Sequence, residues 1–281
     1  MKIVIVGCSG FLGSELREYF TNLGHEVEAL SIREDSEITN ISKVIEGSDL
    51  LINLAGLSIF GRWTEPYKEA LYTSRINTTK KLIQVLEQCE VKPKNFISTS
   101  AVGIYPNNIA CDEMQKELSY SYLAHICRDW EEEALKAKNI GVKTTVFRLG
   151  VILGRDGGMM KKLWLPFTLG LGGCLGSGKQ PLSWIHIDDL KRAYLYVLEK
   201  EGGIYNLCAP TTTINMEFTK TLGELLHRPT LFRVPAFILK ILFKEGSDFM
   251  LEGQNIRPRR LLKEGFKFHY STIKEALKSF L

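Results

Sequence analysis

Three glycines, Gly7, Gly10 and Gly13, stand three residues apart near the start of the chain, between a short apolar β-branched run at residues 2–6 and a helical pattern at residues 14–23. A strand, a glycine turn and a helix in that order can hold a diphosphate. Gly7 permits the tight turn off the strand, Gly10 lets backbone N–H groups approach without a Cβ in the way, and Gly13 lets the helix pack close on the strand. The helix then presents free N–H groups and its positive dipole end to the anion. The chemistry expected here is binding of a dinucleotide.

Two later strands refine that expectation. The second strand, residues 26–32, ends at Arg33, and the tip of that strand approaches the adenosine ribose, where an acid suits a free 2′-hydroxyl and an arginine suits a 2′-phosphate. Arg33 therefore points to NADP rather than NAD, although Glu34 and Asp35 come directly after it and would reverse the choice if either took its place. The third strand, residues 49–54, closes on Ala55 and Gly56, whose small size leaves room for backbone contact with the cofactor. Contacts are expected at Gly7, Ser9, Gly10, Phe11, Leu12, Gly13, Arg33, Leu54, Ala55, Gly56 and, at the end of a later strand, Leu149. Arg62, Lys68 and Arg75 lie beyond the third strand, where they either hold an anionic substrate or are simply solvated.

Composition excludes other classes. At 281 residues, 44% hydrophobic and 24% charged, the chain reads as a soluble globular protein, and a net charge of +4 is too small to imply nucleic acid. Six cysteines form no C-x-x-C pair or regular framework, so free thiols in the cytoplasm are expected, with no metal site. No apolar stretch reaches transmembrane length, and the N-terminal run is too short for a signal peptide, so no membrane partner is expected. Residues 173–180 imitate a P-loop, but Gln180 replaces the magnesium-binding Ser/Thr and Pro181 stands where a helix should begin.

The elements that must position these residues alternate. Strands at 95–99, 142–149 and 204–208 and helices at 65–89, 119–137 and 189–199, the last with Asp188 as its N-cap, argue an α/β fold: a doubly wound, Rossmann-type parallel sheet. Residues 1–154 and 186–208 would form this domain. Residues 155–185 and 209–281 would form a smaller, mostly helical C-terminal lobe on the substrate side.

Taken together, Gly7 to Gly13, Asn53 to Gly56, Arg62-Trp63 with Ser74-Arg75, Ser100 to Gly103, Cys127 to Glu131, Arg148 to Gly150, Trp184 to His186 and Asn206-Leu207 with Ala209-Pro210 resemble the extended and atypical short-chain dehydrogenase/reductases of the NAD-dependent epimerase/dehydratase type. The closer resemblance is to an epimerase-like subfamily of poorly assigned function with a distinctive C-terminal domain. In the superfamily a Y-x-x-x-K pair moves the substrate proton, a Ser/Thr binds the substrate oxygen and an Asn orders the site. Aligning Glu131 with the family's glutamate puts Leu123 at the tyrosine and Cys127 at the lysine; Ala101 and Arg75 fall at the other two positions. All four catalytic groups are thus replaced. Cys127, Tyr105, Tyr122 and His186 are the groups able to move a proton in their stead, each with a structural role as its rival. The resemblance implies an NADP-binding epimerase or oxidoreductase acting on a small polar substrate, or a non-catalytic NADPH-binding regulatory or scaffold protein. By analogy with related enzymes, helices 65–89 and 119–137 would build a homodimer.

Overall fold

The structure, a computed structural model, describes residues 1–32 and 36–281. Six strands form one sheet: β1 (Lys2–Val6), β2 (Glu26–Leu30), β3 (Leu50–Asn53), β4 (Asn95–Ala101), β5 (Lys143–Leu149) and β6 (Gly203–Leu207). Their spatial order is β2-β1-β3-β4-β5-β6 and every pairing is parallel. The chain winds outward from β1 to β2, then crosses back to β3 on the other side, so a crevice opens at the carboxyl ends of β1 and β3.

Alternation along β1 explains why helices cover both faces. Ile3 and Ile5 pack with Leu16 and Phe20 of α1 (Phe11–Asn22). Val4 and Val6 face the opposite layer, against Ile41 and Ile45 of α2 (Ile38–Ile45) and Leu82 and Leu86 of α3 (Glu65–Gln88). Side chains of this size contribute about 1.5–3 kcal/mol each when fully buried. The remaining long helices are α4 (Tyr122–Leu135), α5 (Gly158–Thr168), α6 (Ile187–Tyr196), α7 (Asn215–Leu225) and α8 (Ala236–Phe243).

One expectation needs correction. The N-cap of α6 is His186, whose Nδ1 accepts the Asp188 N–H at 3.1 Å, and Asp188 lies inside the first turn. The tail beyond Ala209 is mostly helical. Short parallel pairs also tie Val151–Leu153 to Trp184–His186, Gly173–Leu175 to Phe232–Val234 and Ala110–Cys111 to Asn255–Ile256. Strands of two or three residues are too short to leave a periodic pattern in sequence.

One buried network locks the sheet to α4. Arg148 of β5 grips Glu131 of α4 bidentately, Nε to Oε1 at 2.8 Å and Nη2 to Oε2 at 2.7 Å. Ser100 of β4 donates its hydroxyl to the same Oε1 at 2.6 Å. The third guanidinium nitrogen, Nη1, donates to the Tyr105 hydroxyl at 2.7 Å, and Tyr105 in turn donates to Asn206 Oδ1 of β6 at 2.8 Å. Burial of the two charges costs several kcal/mol each unless geometry and extra hydrogen bonds offset it. Glu131→Gln is therefore expected to lower unfolding free energy by about 3–5 kcal/mol, because it leaves the Arg148 charge buried without its partner. Urea denaturation measures it, and the double variant Glu131→Leu/Arg148→Met should lose less than the single variant; a single variant within about 1 kcal/mol of the parent would refute this role for the pair.

Candidate cofactor site

The glycine turn has the geometry that a diphosphate requires. Gly7 holds φ +83°, and a Cβ there would stand 3.0 Å from the Leu54 carbonyl carbon. A Cβ on Gly13 would lie 2.5 Å from the Gly7 oxygen and 2.7 Å from the Cys8 Cα, so only glycine lets α1 approach β1 this closely. Gly10 is different. It is the N-cap of α1 in an ordinary extended conformation, no side chain caps the helix, and a Cβ would meet only the Gly7 oxygen, at 3.5 Å. Phe11 turns its ring away from the helix end and packs it against Gly154 and Gly157, which leaves the first N–H groups of α1 to face an anion.

A cavity of about 920 Å³ lies beside the turn, lined by Gly7, Cys8 and Ser9, by the tip of β2 from Ala29 to Ile32, by Ala55 to Leu57 and by one face of α3. Asn53 shapes its floor. Its Oδ1 accepts the Ala55 N–H at 3.2 Å while its Nδ2 donates to Thr79 Oγ1 at 2.9 Å. Of the expected contacts, Gly7, Ser9, Ala55 and Gly56 line the cavity; Gly10 is the N-cap of α1 and Leu12 and Gly13 lie in its first turn, and Leu54 and Leu149 pack on the core beneath. Arg33 lies outside the described residues.

The α3 face was missed in sequence. Ala70, Thr73, Ser74, Asn77, Thr78 and Lys81 line the cavity at helical spacing, and this stripe of small and polar residues resembles a solvated helix face unless one asks what a ligand would need. Near the other end of the cavity, Arg75 donates to the carbonyls of Leu71 at 2.9 Å and Leu57 at 2.8 Å and lies over the Trp130 ring at 5.3 Å. Lys68 is engaged by Glu245 at 3.1 Å and Glu65 at 3.2 Å. Arg62 is exposed.

None of the four groups expected to move a proton, Tyr105, Tyr122, Cys127 and His186, lines the cavity. The Tyr105 hydroxyl is occupied by Arg148 and Asn206, and burial pushes its pKa up to about 12. His186 lies between the rings of Tyr270, 3.7 Å away, and Phe280, 4.9 Å away. Because its Nδ1 accepts a backbone N–H, its proton sits on Nε2, which bonds Ser279 Oγ at 2.9 Å, and burial lowers its pKa. Both are engaged by side chains of the fold. Cys127 lies fully buried, on the α4 face that meets the end of β4 near Ser100 and Ala101, where burial raises its thiol pKa to about 11. Leu123, one turn earlier, packs against Gly103 so closely that a Cβ there would come within 2.6 Å of it. The Tyr122 hydroxyl donates to the Lys68 carbonyl at 3.0 Å.

Residues 3–208 match the NAD dependent epimerase/dehydratase family and residues 234–280 match a domain of unknown function, DUF1731. The epimerase family protein YfhF of Bacillus subtilis is 35% identical over 298 residues, covering 100% of this chain and 98% of that protein. The crystal structure of the human epimerase family protein SDR39U1 with NADPH superposes with a TM-score of 0.90 at 30% identity, over 100% of this chain and 99% of that one. The UDP-glucose 4-epimerase of Thermus thermophilus, solved with NAD, shares the fold at a TM-score of 0.75 and 17% identity, over 100% of this chain and 99% of that one.

The geometry separates the roles of two glycines. Gly10→Ala is expected to leave stability within about 1 kcal/mol of the parent, since its backbone suits alanine, yet to weaken NADPH binding at least about tenfold by placing a methyl at the mouth of α1. Gly13→Ala should lose both, because the added carbon meets backbone. Thermal unfolding and calorimetric titration read the two effects independently, and equal stability losses in the two variants would overturn the distinction.

Proposed function

The chain belongs to the NAD dependent epimerase/dehydratase family, and on that premise we propose that it is an NADPH-binding, epimerase/oxidoreductase-like protein whose usual serine, tyrosine and lysine are replaced. Residues 1–154 and 186–208 hold the cofactor; residues 155–185 and 209–281 form the lobe that presents a small polar substrate to it. The observation that carries the reading is the glycine turn, whose Gly7, Cys8 and Ser9 line the cavity and which leads straight into the uncapped N-terminus of α1. Preference for NADPH is supported by Lys80 and Lys81 of α3, which share the cavity lining with Ser31 and Ile32 after β2, and by Arg33, the next residue in sequence. A 2′-phosphate there would meet cations.

The bound nicotinamide would supply hydride transfer, and the chain's own groups would bind and orient. Gly7, Ser9 and Gly10 hold the diphosphate at the α1 N-terminus, and Ala55 and Gly56 give the cofactor a flat wall. Cys127, in the place of the family's lysine, offers a small uncharged surface. A second reading, a non-catalytic NADPH-binding regulatory or scaffold protein, is favoured by one observation: α4 turns Leu123 and a thiol with a raised pKa toward the end of β4, so that face carries no proton donor matched to neutral pH.

NADPH is expected to bind more tightly than NADH, and Arg33→Ala to narrow the difference; calorimetry with both nucleotides measures it, and equal affinities in the parent protein would refute the NADP assignment. Following nicotinamide absorbance against a panel of carbonyl and sugar substrates separates the two readings. Persistent silence alongside tight NADPH binding selects the regulatory one.

A further inference from the structure

The outer surface of the C-terminal lobe is distributed unlike the rest of the chain. Residues 157–187 and 225–244 contain seven Lys and Arg residues and no Asp or Glu, while the whole chain carries +4, so setting these seven aside leaves the rest at −3. The fold places these two segments side by side. Gly173–Leu175 pairs in parallel with Phe232–Val234, and Arg228 Nε donates to the Thr168 carbonyl at 2.7 Å. Among the described residues, no carboxylate forms an ion pair with any of the seven cations.

The same surface is apolar. Leu169, Leu231 and Phe232 are exposed around the short strand pair, Leu231 at 87%. The α8 segment, Ala236–Phe243, buries Leu239 but exposes Phe237 at 63%, Ile241 at 65% and Leu242 at 54%. At about 100° per residue, Phe237, Ile238, Ile241 and Leu242 cover one outward arc of about 140°, with Lys240 at its flank. A contiguous exposed patch of large apolar side chains marks an interaction surface.

We propose that this face, α8 together with the paired strand Phe232–Val234, docks the protein on an anionic lipid bilayer, with Phe237, Ile241 and Leu242 entering the interface and Arg233, Lys240 and Lys244 meeting the headgroups. Charge selects this occupant. A second copy of the chain docked face to face would bring Arg233, Lys240 and Lys244 against the same three cations, whereas an acidic headgroup layer neutralises them. An outward apolar arc flanked by basic residues is how interfacial helices seat themselves at the boundary of headgroups and acyl chains. No helix among the described residues is long and apolar enough to cross a membrane, so this is surface attachment. It departs from the sequence-based expectation of no membrane partner, which weighed spanning segments and a signal peptide but not surface attachment.

The test is sedimentation of the full chain with vesicles of phosphatidylglycerol and phosphatidylcholine in equal parts, against phosphatidylcholine alone. Binding to the anionic vesicles, released by added salt, is expected. Lys240→Gln should weaken partitioning about fivefold, and Ile241→Ser/Leu242→Ser should abolish it with unfolding temperature and NADPH affinity unchanged. Equal sedimentation with both vesicle types overturns the proposal, as does serine-variant binding equal to that of the parent. So does a parent that ignores vesicles but self-associates, or captures an acidic protein, through the residues that the serine variant removes.

Discussion

The bidentate pair between Arg148 and Glu131 is the constraint on which the rest of the site depends. Both side chains are almost fully buried, so neither charge can be left alone, and the fork geometry admits one relative placement of α4 against β5. That placement sets everything N-terminal of Glu131 on the same helix face. Cys127 is one turn away and Leu123 two, so the surface that α4 offers to the end of β4 is decided by where its carboxylate is held. The pair also consumes the groups around it. Ser100 points its hydroxyl at Glu131, and Tyr105 is shared between Arg148 and Asn206; these groups build the platform that holds α4 on the sheet.

Proton chemistry obeys the same logic. A general acid works best with a pKa near the operating pH. Here burial drives the candidates the other way: the Tyr105 phenol to about 12 and the Cys127 thiol to about 11, while the imidazole of His186 shifts down into its neutral form. Each group is thereby held in its uncharged state. The cofactor side differs, because there the polar groups are backbone N–H donors, small hydroxyls and lysines exposed to a cavity.

The sequence revealed the parts of this arrangement that are local. Gly7, Gly10 and Gly13 act within thirteen residues, and β1, β3 and β4 are runs buried on both faces, so their identity and the parallel sheet could be read directly. Aligning on Glu131 put Leu123 and Cys127 on one face of α4, because helical spacing is itself a local rule. What escaped reading depends on distant partners. His186 caps α6 while its ring is stacked by Tyr270 and Phe280 from the far end of the chain. The same tail uses Asp189, fully buried, to accept the N–H groups of His269 and Tyr270. Spacing near His186 could not disclose those partners, and its neighbour Asp188 is by type the stronger cap. The lining stripe of α3 escaped for another reason: apolar periodicity finds what packs on a core, and residues kept small and polar for a ligand leave no such signal.

The C-terminal lobe is held by contacts outside the six-stranded sheet. Loop residues after β3 reach out to the tail: the Trp63 backbone N–H donates to the Phe243 carbonyl at 3.1 Å, and the Trp63 ring lies 6.3 Å from that of Phe249, which Phe60 meets edge-on at 5.3 Å. Gly246 makes the approach possible, since a Cβ there would fall 2.6 Å from the Trp63 ring. Lys68, at the start of α3, adds an ion pair to Glu245. All these contacts cluster where α8 ends, so the loop that borders the dinucleotide crevice and the helix that carries the basic apolar surface share one small joint. The segment around α8 is thus fastened to the loop after β3 through the contacts that Trp63 makes with Phe243, Gly246 and Phe249, so a change in that loop would be felt at the edge of the basic apolar surface.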